Sequence, residues 1–287
     1  MSTSTAPSVI LSVRDIETQF ATQRGTVFAV NRVSFDVTDG EIVGLVGESG
    51  SGKSVTVRSV LRLIRPPGRI TGGSAEFEGT DLHALSESRL RQIRGSGIGF
   101  VSQNPFGSLN PILPIERQFH NVIRAHRRTT RAESRRVALQ ALQSVGIAGP
   151  DRVLGGYAHE LSGGMAQRVV IGIALVLRPR LLIADEPTTA LDVTVQRQIL
   201  DLIRDLARER RMAVLLVTHD LGVVAQYCQR VVVMYAGKVV EEGPVRRVFK
   251  TPAHLYTRAL LDAIPRAGKP VVGVSAGPRG SIEYPTL

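Results

Sequence analysis

The chain has a single cysteine, Cys228, among 287 residues, which excludes an internal disulfide and any metal cage built from several thiolates. Long apolar runs are also missing. The longest nearly unbroken one, Val169 to Leu177, falls far short of the ~20 residues that span a bilayer, so no membrane-crossing helix is expected. The N-terminal MSTSTAPSV carries neither a basic segment nor an apolar one, so no secretory leader is visible and a cytosolic setting is the default expectation. No internal repeat is present, which argues against a tandem array. Acidic residues are in short supply: 25 Asp+Glu face 36 Lys+Arg, a net charge of +11. Such an excess suggests an anionic partner, whether nucleic acid, an anionic leaflet or phosphate, and composition does not choose among them.

What the chain does have is ordinary globular composition, 43% hydrophobic and 21% charged, which excludes disorder of the whole. Its length allows one large domain or two close ones. Val9 to Val13 and Arg32 to Val37 read as strands, and Asp39-Gly40 is a turn leading into an apolar strand, Glu41 to Val46. After Lys53 the apolar spacing Val57, Val60, Leu61, Ile64 is helical, and Pro66-Pro67-Gly68 stops it. From about 104 to 177 the pattern is mostly helical: Gln118 to Arg128, Arg131 to Val145 and Met165 to Leu177, separated by Gly/Pro breaks. Leu181 to Ala184 and Ala213 to Thr218 read as buried strands flanking a helix at Val195 to Arg210, an alternation that predicts a parallel sheet with a helical insertion. Val231 to Tyr235 and Lys238 to Glu241 read as a hairpin, and residues 266–287, rich in Pro, Gly and Ser, as a flexible tail.

Gly47, Glu48, Ser49, Gly50, Ser51, Gly52, Lys53 and Ser54 match the pattern GxxxxGK[ST] between a predicted strand and a predicted helix. Glycines let consecutive backbone N–H groups face phosphates, the helix that runs on through Val55 offers its positive end, Lys53 reaches the β and γ phosphates, and Ser54 ligates Mg²⁺. Leu181 to Asp185-Glu186 is an apolar strand ending in two carboxylates. Adjacent residues there point in different directions and can hold different tasks: Asp185 for the metal, Glu186 as the general base that polarises an attacking water. The two motifs together predict a nucleoside triphosphatase.

Leu161-Ser162-Gly163-Gly164-Met165 adds a second phosphate-facing helix start, and with it the chain resembles the ATP-binding cassette (ABC) family, whose signature is LSGGQ. The resemblance covers about Val9 to Pro265. It implies a P-loop NTPase (RecA-like) α/β core with an N-terminal antiparallel β segment and an inserted helical subdomain: a tail at 1–8, the ATPase domain at 9–265 with the helical subdomain near 104–177, and a tail at 266–287. It implies a head-to-tail dimer in which Ser162, Gly163 and Gly164 of one subunit close over the γ-phosphate held at Lys53 of the other. Gln103 resembles the Q-loop glutamine that senses Mg²⁺ and water, Ala190-Leu191-Asp192 the D-loop, with Asp192 across the interface, and His219 the switch histidine at the γ-phosphate. Phe20 resembles the aromatic stacked on adenine, with Phe28 competing and core packing open for either.

Gly107 to Pro111, Tyr157 to Glu160, DEPTTALDVTV at Asp185 to Val195, Met234-Tyr235-Ala236-Gly237 and His254 to Leu261 resemble the ATPases of dipeptide and oligopeptide importers, and Tyr235 to Gly237 the D-type subunit in particular. The resemblance then implies ATP and Mg²⁺ as ligands and an F-type ATPase companion. It also implies two integral-membrane permeases, an extracytoplasmic binding protein, no nucleic acid, and a peripheral place on the cytoplasmic face of the membrane. Relatives of D type often carry C-terminal cysteines for an iron–sulfur cluster; none follows Cys228, so no cluster is expected. Ala166 stands where many relatives have Arg or Gln. Competing readings are a soluble ABC ATPase acting on DNA or ribosomes, a non-hydrolysing regulatory cassette, and an importer of nickel or oligosaccharide. The run Arg124, Arg127, Arg128, Arg131, Arg135, Arg136, opposed only by Glu133, is expected to be a solvated face near the membrane.

Overall fold

The structure, a computed structural model, describes residues 8–263 except Arg24 and Ala190; the tails expected at 1–8 and 266–287 lie outside these, Ser8 apart. Two long antiparallel strands come first, β1 (Val9–Thr22) and β2 (Gly25–Thr38). Both extend beyond the segments readable from period-two alternation. Asp15 adopts φ 45° in a bulge between the pairs Val13–Phe35 and Ile16–Val33. The buried set therefore switches parity from Leu11 and Val13 to Ile16 and Thr18, and a strict alternation test stops at the bulge.

Next come β3 (Ile42–Val46), α1 (Lys53–Val60), β4 (Gly68–Phe77), β5 (Thr80–Asp81), α2 (Glu87–Ser96) and β6 (Ile98–Val101). Helix α1 ends before the expected Ile64 because Arg62 takes φ 50°. The Arg62 and Leu63 N–H groups bond back to Ser59 O at 2.9 Å and Arg58 O at 2.7 Å, a left-handed C-terminal cap made without glycine. A mostly helical stretch follows: α3 (Pro105–Ser108), α4 (Ile115–His126), α5 (Arg131–Ser144), α6 (Pro150–Gly155) and α7 (Gly163–Leu175). Helix α5 starts with a reciprocal cap between Thr130 and Glu133, and α4, α5 and α7 meet around Phe119, Leu142 and Ile123, all fully buried. In the arginine run, Arg135 is ion-paired with Glu116 and Asp151, while Arg124, Arg127, Arg128, Arg131 and Arg136 are exposed.

The chain then completes β7 (Leu181–Asp185), α8 (Val193–Arg210), β8 (Ala213–Thr218), α9 (Leu221–Tyr227), β9 (Arg230–Tyr235), β10 (Lys238–Pro244), α10 (Val245–Lys250) and α11 (Leu255–Asp262). A four-stranded antiparallel sheet has the order β2-β1-β4-β5, and a six-stranded sheet the order β10-β9-β3-β8-β7-β6, parallel except for β10. Strands β3, β7 and β8 are buried at every residue, as a sheet covered on both faces requires. Val43, Leu45, Ile183 and Leu215 point toward the antiparallel sheet and α1, while Val46, Leu182, Ala184 and Leu216 point toward the helical layer. Parallel pairing aligns Val46 with Thr218, Asp185 with Val217 and Val101 with Ala184, so the loops after β3, β6, β7 and β8 open at one edge, where open α/β sheets hold ligands. Among the described residues no helix is long and apolar enough to cross a membrane.

Candidate functional site

The loop between β3 and α1 is shaped by glycines that no other residue replaces. A Cβ at Gly47, at φ 153°, would stand 2.2 Å from Met234 O, and one at Gly52, at φ 102°, 2.4 Å from Ala29 O. Gly52 caps α1 without a side chain, leaving the helix's positive end open for an anion. Lys53 is buried, and its Nζ donates to Gly47 O at 2.7 Å and Glu48 O at 2.8 Å. Burial pushes its ammonium pKa down, against the pull of Glu186, Asp185 and Glu48.

Ser54 Oγ donates to Asp185 Oδ1 at 2.8 Å. The other carboxylate oxygen, Oδ2, is buried without a hydrogen-bond partner, with Arg58 Nη2 3.9 Å away. Burial raises the Asp185 pKa above the ordinary aspartate value, outweighing the Ser54 hydrogen bond and Arg58. An orphaned carboxylate oxygen beside a serine hydroxyl is a fitting place for a hard divalent cation. The described residues contain no group of three or more His, Cys, Asp or Glu able to hold a metal by themselves. The donor set therefore suits Mg²⁺, which binds through one or two protein oxygens and substrate phosphates, better than a metal that needs a protein cage.

Glu186 stands at φ 49°, a strained conformation for a side chain of its size. Its N–H donates to Val217 O at 3.0 Å, and its Oε2 accepts from Thr189 Oγ1 at 2.9 Å and Gln103 Nε2 at 3.2 Å. His219 Nδ1 lies 3.5 Å from the same oxygen. These groups and the loop from Gly47 to Val55, Ser51 apart, face a cavity of about 790 Å³, whose remaining walls include Ala29 and Leu260. Lys53, Ser54, Asp185, Glu186, Gln103 and His219 are thus brought together from four loops.

The signature residues and Asp192 lie elsewhere. Ser162 Oγ accepts from Met165 N at 3.3 Å, capping α7, and Asp192 Oδ1 accepts from Val195 N at 3.0 Å, capping α8. The two helix starts touch: a Cβ at Gly164 would stand 2.8 Å from Val195 Cγ1. Neither lines the cavity at Lys53. Ala190, in the expected D-loop, lies outside the described residues. Phe20 does not line the cavity either. Its ring packs against Gly68, where an added Cβ would meet Phe20 Cε1 at 2.6 Å, and Phe28 is exposed and absent from the walls. Sequence reasoning gave no site role to Ala29, Thr189 or Leu260; Thr189 and Leu260 lie in stretches that resemble the importer ATPases, but only the fold turns them toward the cavity.

Residues 30–189 match the model of the ABC transporter family, and residues 240–277 that of the oligopeptide/dipeptide transporter C-terminal region. A Haemophilus influenzae protein named dipeptide transport ATP-binding protein DppD is 43% identical over 256 residues, covering 89% of this chain and 78% of that one. A Brucella melitensis protein named as a peptide import ATP-binding protein is 52% identical over 265 residues, covering 90% and 78%. Among solved structures, a dimeric ATP-binding cassette in a post-hydrolysis state with ADP and phosphate superposes with a TM-score of 0.73 at 28% identity, covering 82% of this chain and 99% of that one. The chain therefore belongs to the ABC transporter family, as an ATP-binding, ATP-hydrolysing cassette with the P-loop NTPase fold.

Proposed function

We propose that the chain is the ATPase subunit that energises a peptide importer of the dipeptide/oligopeptide class. The observation that carries this reading is the pairing of a complete hydrolytic edge, from Lys53 to His219, with a C-terminal segment matching the oligopeptide/dipeptide transporter region. The relatives named for dipeptide and peptide import support the same substrate class.

In this reading the loop from Gly47 to Val55 binds the β and γ phosphates of ATP through the Lys53 ammonium and those N–H groups not already given to Tyr256 Oη or Glu48 O, and burial of Lys53 strengthens its attraction to them. Ser54, Asp185 and Gln103 would hold Mg²⁺, which would supply charge neutralisation at the phosphates. Glu186 Oε2 orients the attacking water and takes up its proton, while Gln103, Thr189 and His219 fix the carboxylate in place. His219 meets the γ-phosphate. Ser162, Gly163 and Gly164 act on a companion subunit's nucleotide, and Asp192 sits across that interface, since neither group reaches its own Lys53 cavity. The fold of a dimeric cassette supports this arrangement. Loss of the γ-phosphate then loosens the dimer, so chemistry is expressed as geometry. Adenine stacks on Phe20, which would swing from its seat on Gly68.

The partners are an F-type ATPase, two membrane permeases and an extracytoplasmic binding protein, with the chain on the cytoplasmic face. Exposed Phe106 and Ile112 beside Gln103, and the exposed arginines between α4 and α5, offer apolar contact to permease loops and attraction to anionic headgroups. Co-expression with permeases and a second ATPase subunit tests the assembly. A membrane complex whose ATP hydrolysis rises when a peptide-loaded binding protein is added is the expected result. Hydrolysis indifferent to peptide and permease contradicts it.

A further inference from the structure

Two stretches that resemble the peptide-importer ATPases, Met234 to Gly237 and His254 to Leu261, have no part in the chemistry above, yet the fold brings both onto the phosphate loop. The turn between β9 and β10 places Gly237 N–H on Ser51 O at 3.0 Å, and Met234 O is packed against Gly47. From the other side, Tyr256 on α11 accepts a hydrogen bond from the Glu48 N–H at 3.0 Å. The rings of Tyr235 and Tyr256 meet at 4.4 Å between centroids, tilted by 39°, joining turn and helix into one piece. One turn along α11, Leu260 forms part of the wall of the nucleotide cavity. The helix itself is held at its start: Glu241 accepts from the N–H groups of Ala253 at 2.9 Å and His254 at 3.0 Å.

We infer that these two stretches form a clamp on the phosphate loop, with Tyr256 as a positioning residue for ATP binding and Leu260 as a contact on the nucleotide's flank. The physical reason lies in the loop's composition. Five of the residues from Gly47 to Gly52 are glycine or serine, a composition that gives the backbone wide freedom, and the N–H array binds phosphates well only if that freedom is removed beforehand. Gly237 fixes the peptide at Ser51, and Tyr256 fixes the one at Glu48. Between them the arch is held at both ends. Nucleotide affinity is then set in part by residues about two hundred positions from the loop, of which Tyr256 and Leu260 lie in the segment matching the oligopeptide/dipeptide transporter C-terminal region.

The inference rests on the loop at Lys53 being the ATP site, and the test separates the two. The full-length chain is titrated with a fluorescent ATP analogue, and hydrolysis is followed as a function of ATP in the assembled complex. Tyr256→Phe keeps the ring and its contact with Tyr235 but removes the acceptor. It is expected to weaken nucleotide binding and raise KM about 3- to 10-fold, the range of a single lost neutral hydrogen bond, with a much smaller change in kcat. Leu260→Ser, on a half-covered position, is expected to shift affinity in the same direction. Lys53→Ala serves as the reference that abolishes binding. Affinity unchanged in both Tyr256→Phe and Leu260→Ser while Lys53→Ala loses it overturns the clamp alone; affinity retained in Lys53→Ala overturns the site. A fall in kcat at constant KM in Tyr256→Phe also overturns the positioning role.

Discussion

His219 Nδ1 lies 3.5 Å from Glu186 Oε2, the oxygen that also accepts from Gln103 Nε2 and Thr189 Oγ1. Three loops therefore converge on one carboxylate oxygen, and a change at any of them alters where that oxygen points.

Glu186→Gln keeps the size and the contacts while removing the base. Hydrolysis should fall roughly 10²- to 10⁴-fold with ATP binding retained, read by phosphate release and by nucleotide titration. Wild-type turnover in the assembled complex would exclude Glu186 as the base. His219→Ala frees one side of the carboxylate and should lower kcat with less effect on binding.

Asp185 predicts opposite effects on stability and activity. Because burial raises its pKa in the folded chain, the folded state binds the proton more readily than the unfolded one. The residue favours folding below the ordinary aspartate range, and that contribution is lost as pH rises through the raised value. Asp185→Asn should melt at or above wild type at neutral pH without nucleotide, with the difference shrinking on acidification, while Mg²⁺-dependent hydrolysis collapses. Thermal melts from neutral pH down through the ordinary aspartate range read the first effect. A variant less stable than wild type by a margin that widens as pH rises would contradict the assignment.

Cys228 is buried against Gly44, with its thiol pushed up to about 12 by burial and by the charge of Glu41. It should resist a thiol reagent in the native protein and react only on unfolding. Rapid labelling under native conditions would show that the layer around α9 opens readily.

Phe119 is fully buried where α4 faces α5 and α7, with Gly172 against the tip of its ring. Phe119→Ala should destabilise the protein by about 3–5 kcal/mol, measured by denaturant titration.

Much of the site was legible because its parts are contiguous. The loop at Gly47 to Ser54, the strand ending at Asp185-Glu186 and the signature at Ser162 each encode a backbone conformation within a few residues, so pattern alone locates them. The helical stretch between Gln103 and Leu177 was legible for the same reason, since helical periodicity and its caps are local. The segment 68–101 was not. β4 shifts register against β1 at Gly73, which takes φ 82°, and α2 departs from helical geometry at Arg94 and Gly95, so neither has a clean period. Phe20 was legible as a candidate from its position in the sequence, while the seat of its ring on Gly68 is visible only in the fold.

By itself the sequence located the motifs, because the loop at Lys53, the strand ending at Asp185-Glu186 and the signature at Ser162 are residue types at short fixed spacings. Only the tertiary structure decided the company those residues keep. Gln103 and Glu186 are 83 positions apart and Glu48 and Tyr256 are 208 apart, so neither contact has a local pattern to announce it. Parallel register brings the loops after β6 and β7 to one edge. The return of the chain through β9, β10 and α11 lays a tyrosine on the phosphate loop, and such meetings depend on packing over the whole sheet rather than on any window of the chain.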